Sequence, residues 1–275
     1  MKWLRVLPVD LPDLERLVSL PDLPHPFAER LHALVTDAGS VADLRRYFGM
    51  DRPPGTTAFT GSRFEALGGG GDRPAVADTV TAEDLIAVQT LSVTVPAAAA
   101  LDLLEGHAGT QLSTLLRAIP RDTDMADATE ADLAPGSPAH KAWHLLRDQP
   151  GIGWVTAGKL LARKRPRLLP VYDRVVRCAV GQPRSFWHTL HSALRADDYA
   201  LQRELLILRQ AAGLPETCGS ATSWSGCGIT PITTTLAAPG SDLAQGIQSG
   251  PKRRPFALCP FRSRSSATRS RCRCT

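Results

Sequence analysis

The chain has 275 residues, is 43% hydrophobic but only 5% aromatic, and carries a formal net charge of +5. A core drawn from that composition rests on Leu, Val and Ala, which favours helices, and no apolar run reaches the ~18 residues of a membrane span. The opening Met1-Lys2-Trp3-Leu4-Arg5-Val6-Leu7-Pro8 lacks the apolar stretch of a signal peptide, so the body reads as cytoplasmic, with no membrane partner.

The first segment, residues 1–56, reads as short helices separated by Pro: Pro12–Leu20, Pro26–Ala38, and Val41–Phe48 behind a Ser40 N-cap. A helical core is expected over 57–215. It opens with Thr57-Ala58-Phe59-Thr60-Gly61-Ser62-Arg63-Phe64-Glu65, then Gly68 to Gly71. Four glycines in a row do not sit inside a stable element, and they lack the Gly-Lys-Ser/Thr ending of a phosphate-cradling loop. A mobile loop is expected, and Arg63, Glu65, Asp72 and Arg73 mark it as a second place to look for function. Helices follow from a Thr81 cap, over Pro96–Glu105 and Gly109–Ile119, and from Ser137-Pro138 to Arg147, a start with Ser as cap and Pro in the first turn. Later ones run Asp173–Val180, Ser185–Leu194 and Asp197–Gln210. No alternating strand pattern occurs, so the fold class is all-α with a disordered C-terminal tail.

That tail, 216–275, holds eight Lys or Arg against two Asp or Glu, leaving residues 1–215 with 24 basic and 25 acidic groups. The positive excess therefore says nothing about the folded body. Cys178 reads as a small apolar core residue. The other five cysteines, Cys218, Cys227, Cys259, Cys272 and Cys274, have the spacing of neither zinc knuckles nor an iron–sulfur run, so no metal and no cofactor is expected. Back-translating Ala221 to Pro231 with GC-rich codons and reading two nucleotides out of frame can give Asp-Leu-Val-Val-Trp-Met-Arg-His-His-Pro. That is a buried-helix pattern, so residues 218–275 read as the product of a frame shift near Thr217, with a closing helix lost.

The segment that carries chemistry is Gln149-Pro150-Gly151-Ile152-Gly153-Trp154-Val155-Thr156-Ala157-Gly158-Lys159, inside a helix–turn–helix spanning 138–164. Two glycines flank one apolar residue between helices. Ile152 is expected between the helices, Gly151 and Gly153 to permit the turn and a close backbone approach, and Ala157 and Gly158 to keep the helices near. The first amides of the second helix would then face outward with the helix dipole behind them, which suits a phosphate. A purely structural helix pair uses the same turn chemistry. Seven basic residues (Lys159, Arg163, Lys164, Arg165, Arg167, Arg174, Arg177) against the single acid Asp173 occupy 159–177. They read either as phosphate contacts or as a solvated helix end.

In its Pro-Gly-Ile-Gly-x-x-Thr-Ala signature (Pro150 to Ala157), and in Asp173 lying 17 residues after Thr156, the segment resembles the helix-hairpin-helix DNA glycosylase superfamily. From Phe59-Thr60-Gly61-Ser62-Arg63-Phe64-Glu65 to Pro170-Val171-Tyr172-Asp173-Arg174-Val175-Val176-Arg177, the body is also similar to a bacterial domain-of-unknown-function family. The glycosylase resemblance implies a DNA partner, held by Gly151, Gly153, Thr156, Lys159, Arg163, Lys164 and Arg167. It implies Asp173 as the catalytic carboxylate of a monofunctional N-glycosylase. Val155 stands where bifunctional members carry their Schiff-base Lys, which excludes that lyase route, and Cys178 stands where an Arg is usual. Asp173 is equally a favoured N-cap. Trp143, Trp154 and Tyr172 are candidates to stack on a base or to pack the core. The competing expectation is a non-enzymatic helical protein that uses the hairpin structurally and binds a protein or small ligand at the glycine loop.

Overall fold

A computed structural model describes residues 26–53 and 59–214. The helix expected at Pro12–Leu20, the reading of 216–275 and all the tail cysteines lie outside the described residues. Within them the chain forms ten α-helices and no strand: α1 (Pro26–Thr36), α2 (Ser40–Phe48), α3 (Ala82–Thr90), α4 (Ala97–Glu105), α5 (His107–Arg117), α6 (Glu130–Leu133), α7 (Pro138–Arg147), α8 (Trp154–Lys164), α9 (Arg174–Val180) and α10 (Phe186–Ala211). No described helix is long and apolar enough to cross a membrane.

Local chemistry sets most boundaries. Thr81 Oγ1 accepts from the Asp84 amide while the Asp84 carboxylate accepts from the Thr81 amide, a reciprocal box that starts α3. Ser137 Oγ accepts from the His140 amide, with Pro138 in the first turn of α7. Ser40 departs from expectation: it is the first residue of α2, and its hydroxyl donates back to the Leu34 carbonyl at 2.6 Å, so no side chain caps that helix. Helix α5 begins two residues earlier than expected because the Asp102 carboxylate of α4 takes the Ala108 amide. The two helices approach so closely that a Cβ on Gly109 would sit 2.2 Å from the Leu103 carbonyl oxygen. The two helices expected in 185–210 form one element, broken where Asp197, Asp198 and Tyr199 take left-handed backbone angles.

The core is built from Leu31, Leu44, Leu103, Leu112, Leu116, Leu146, Leu160 and Leu161, with Ala and Val between them. Helix α8 is packed on α7 along one side and α3 along another, α5 backs α7 with α4 packed on α5, and α9 and α10 each pack on α1. Cys178 is not in this core; it is exposed on α9.

The glycine loop is closed rather than loose. Gly68, Gly69 and Gly70 have φ of +59°, +81° and +95°, angles that L side chains rarely adopt. Arg73 donates to the Gly68 and Gly70 carbonyls, and a Cβ on Gly71 would meet the Arg163 carbonyl at 2.5 Å. The irregular stretch 64–78 leaves its carbonyls without helix or sheet partners, and buried carbonyls need donors. Arg163 supplies them to Phe64, Glu65 and Leu67, Lys164 to Val76 at 2.7 Å, and Arg165 to Ala77 at 2.8 Å. The expected mobile loop is thus a folded collar around the end of α8.

Candidate functional site

The turn that enters α8 is open to solvent. Gly151 and Gly153 are exposed, while Ile152 between them is buried in the core. The two glycines have different causes. Gly151 has φ +78°, and a Cβ there would lie 2.6 Å from Pro96 Cγ, so the fold itself requires glycine. Gly153 has an ordinary extended backbone (φ −85°, ψ 173°), and a Cβ there would touch nothing within 4 Å. As the N-cap of α8, Gly153 offers no side chain to the first amides of the helix, so no side chain caps its start. Thr156 is buried and contributes no hydroxyl to the surface.

The basic run turns inward. Arg163 and Lys164 are each 1% exposed and Lys159 4%. Arg163 Nε and Lys164 Nζ pair with the two oxygens of Asp84 at 3.0 and 2.8 Å, and burial pushes the Lys164 ammonium below its ordinary range. Arg165 spends its donors on the Ile119, Leu116, Ala77 and Lys164 carbonyls and on Asp78. Half-buried Arg167 pairs with Asp124 at 2.8 Å, the hydrogen bond that raises its pKa. This corrects the expectation that Lys159, Arg163, Lys164 and Arg167 form a phosphate-contacting flank: Arg163 and Lys164 have no open face, Lys159 reaches only the wall of the Asp173 cavity, and Arg167 is bound to a carboxylate. Asp84, which organises them, has only one signal in the sequence, the Thr81–Asp84 capping spacing.

Asp173 caps α9 and also lines a cavity of about 470 Å³ beside the start of α8. Its Oδ1 accepts from the Val175 and Val176 amides at 2.9 and 3.1 Å. Its Oδ2 faces Lys159 Nζ at 3.1 Å, and that ammonium also donates to the Leu91 carbonyl at 2.8 Å. Val155 and Lys159, one turn apart on α8, share this wall, with Tyr47, Gly61 and Arg174 around it. Gly61 is needed because a Cβ there would lie 2.2 Å from the Tyr47 hydroxyl. The cavity therefore presents an anchored carboxylate, an ammonium and an exposed Arg174 beside the start of α8, which no side chain caps.

A second cavity, about 540 Å³, opens on the other flank of α8 between Trp154 and Gly158. Of the expected stacking residues, Trp143, Trp154 and Tyr172 all line it, joined by Phe186 and Trp187, which sequence reading had passed over. Arg177 also faces this cavity rather than that of Asp173, so it does not stand in for the missing Arg at Cys178. Gly158 is not a helix-contact residue as expected, since a Cβ there would meet nothing within 4 Å.

Residues 40–222, about two thirds of the chain, match the sequence model of the family described as "Family of unknown function (DUF6308)". No curated protein and no solved structure matches significantly.

Proposed function

Because the chain belongs to the family of unknown function DUF6308, whose description carries no activity, we propose a function from the Asp173 cleft: a DNA-binding, repair-type protein acting as a monofunctional N-glycosylase. The observation that carries it is the position of Asp173, at the wall of a cavity next to the uncapped, solvent-facing start of α8. In this reading the α8 amides and exposed Arg174 hold the backbone phosphates of a strand, and the cavity receives the sugar of an extruded nucleotide. The bond between C1′ and the base nitrogen breaks, and the base leaves with the electron pair. The Asp173 carboxylate stabilises the cationic sugar, a water oxygen adds to C1′, and its proton passes to Asp173. Amides on Oδ1 hold the carboxylate in place, and Lys159 on Oδ2 orients it. Val155 offers no amine, and Lys159 is engaged by Asp173 and the Leu91 carbonyl, which supports hydrolysis without a Schiff base.

The test is DNA binding and base release by the full chain. Binding should weaken as salt rises and disappear in Gly153→Glu with its helical circular dichroism intact, because that side chain projects into open space. Asp173→Asn keeps an acceptor for the Val175 and Val176 amides, so it should bind DNA but release no base. If the parent binds no DNA, or Asp173→Asn turns over as the parent does, the reading is wrong. The chain is then a non-enzymatic helical protein that uses the turn structurally.

A further inference from the structure

The second cavity gathers one third of the chain's few aromatic residues. The chain has 15 aromatic residues, and five of them, Trp143, Trp154, Tyr172, Phe186 and Trp187, line this one space. Phe186 belongs to the core, and Trp143, Tyr172 and Trp187 pack against it, but Trp143, Trp154, Tyr172 and Trp187 are only half-buried and keep part of their surface on the cavity. Tyr172 is stacked on Phe186 at 4.1 Å between centroids with planes 15° apart, and Trp154 leans on Tyr172 at 5.8 Å. The Tyr172 hydroxyl is tied to the Gly181 carbonyl at 2.9 Å, which fixes the ring. A wall of immobilised rings suits a planar aromatic guest.

The charge at the cavity has one sign. Arg177 and Arg184 line it, no carboxylate does, and neither arginine has an ion-pair partner among the described residues. Every basic residue from 163 to 167, by contrast, is paired with an acid. Gly158 provides an independent sign. A glycine inside a helix costs about 1 kcal/mol against alanine, and here neither φ nor packing calls for it. What its missing side chain leaves is the floor of this cavity. A volume of about 540 Å³ lies in the usual range for sites that take small molecules.

We infer that this cleft binds a nucleobase carrying a phosphate, with the base against Trp154 and Tyr172 above Gly158 and the phosphate on Arg177 and Arg184. The same chemistry comes from a free nucleotide or from an unpaired nucleotide in a single strand. The site stands apart from Asp173, and its occupancy does not depend on the chemistry proposed there.

Three of the chain's five tryptophans line the cleft, so intrinsic fluorescence reports on it. The full chain is titrated with adenosine monophosphate, with an oligodeoxythymidylate, and with ribose 5-phosphate and adenosine as half-ligands. The expected result is saturable quenching by the mononucleotide or the oligonucleotide, with both half-ligands at least about tenfold weaker. Quenching by the mononucleotide assigns a free nucleotide, and quenching by the oligonucleotide alone assigns a strand. Gly158→Leu should fill the floor and abolish binding while helicity is kept. Arg177→Gln with Arg184→Gln should weaken it at least about tenfold, and Asp173→Asn should leave it unchanged. The inference is overturned if neither ligand quenches, if ribose 5-phosphate binds as well as the nucleotide, or if folded Gly158→Leu binds as the parent does.

Discussion

Lys159 to Arg167 and Arg174 to Arg184 are two basic stretches a few residues apart, and their fates are opposite. The first turns inward, where every cation meets a carboxylate and Arg163, Lys164 and Arg165 also take the loose carbonyls of the 64–78 collar. The second keeps Arg174, Arg177 and Arg184 at the rims of cavities, with no ion-pair partner among the described residues. The difference teaches where function should be sought. A buried guanidinium surrounded by acceptors is a fastening, because moving it would strand several buried groups. An unpaired arginine beside rings or an open helix start still has its binding capacity.

The sharpest way to break the comparison is to remove the fastening's centre. Asp84→Ala leaves Arg163 and Lys164 buried without their carboxylate and should cost about 3–5 kcal/mol in denaturant unfolding; a loss below about 1 kcal/mol would mean that the inner cluster is not structural. Next is Gly151→Ala, which forces a side chain into a left-handed angle and against Pro96. It should cost about 1–3 kcal/mol, whereas Gly153→Ala should stay within about 0.5 kcal/mol. Similar losses for both would remove the distinction between a glycine the fold needs and one it does not.

Acid should act through His191, which is buried, hydrogen-bonded to the Ala128 carbonyl at 2.9 Å and held below its ordinary 6.5 by desolvation. The unfolded chain takes up that proton first. Stability should therefore begin to fall just below pH 6.5 and go on falling until the folded histidine protonates. His191→Gln should flatten this part of the profile, and an unchanged slope would clear His191. The smallest effect belongs to the outer group: Arg177→Gln with Arg184→Gln should change stability by no more than about 0.5 kcal/mol. A loss on the scale of Asp84→Ala would make these arginines fastenings too.

The helices were legible where a side chain announces them. Thr81, Ser137 and Asp173 each accept the amide that their positions imply, and Ile152 is buried as the turn requires. The low aromatic content foretold the Leu-rich core. The basic run and the glycine loop were misread together, and for one reason. Each looks unstable alone, a charge cluster and a backbone without partners, so local pattern points the first to phosphates or solvent and the second to a mobile surface loop. They satisfy one another across some 80 to 100 positions of sequence, and no local pattern records that pairing. The same holds for the cavities: Asp173 was visible as a cap and a spacing match, but its ammonium partner lies on the helix before it. Phe186 and Trp187 looked like an ordinary helix start until Trp154 and Tyr172 were beside them.

Residues 172 and 173 are neighbours in the chain, yet Tyr172 belongs to the aromatic cavity and Asp173 to the other. Extended backbone sends successive side chains to opposite sides, and Asp173 has that conformation, with φ −125° and ψ −171°. The partition between the two chambers is therefore one peptide thick at this point. A sideways displacement of that segment would widen one chamber and narrow its neighbour.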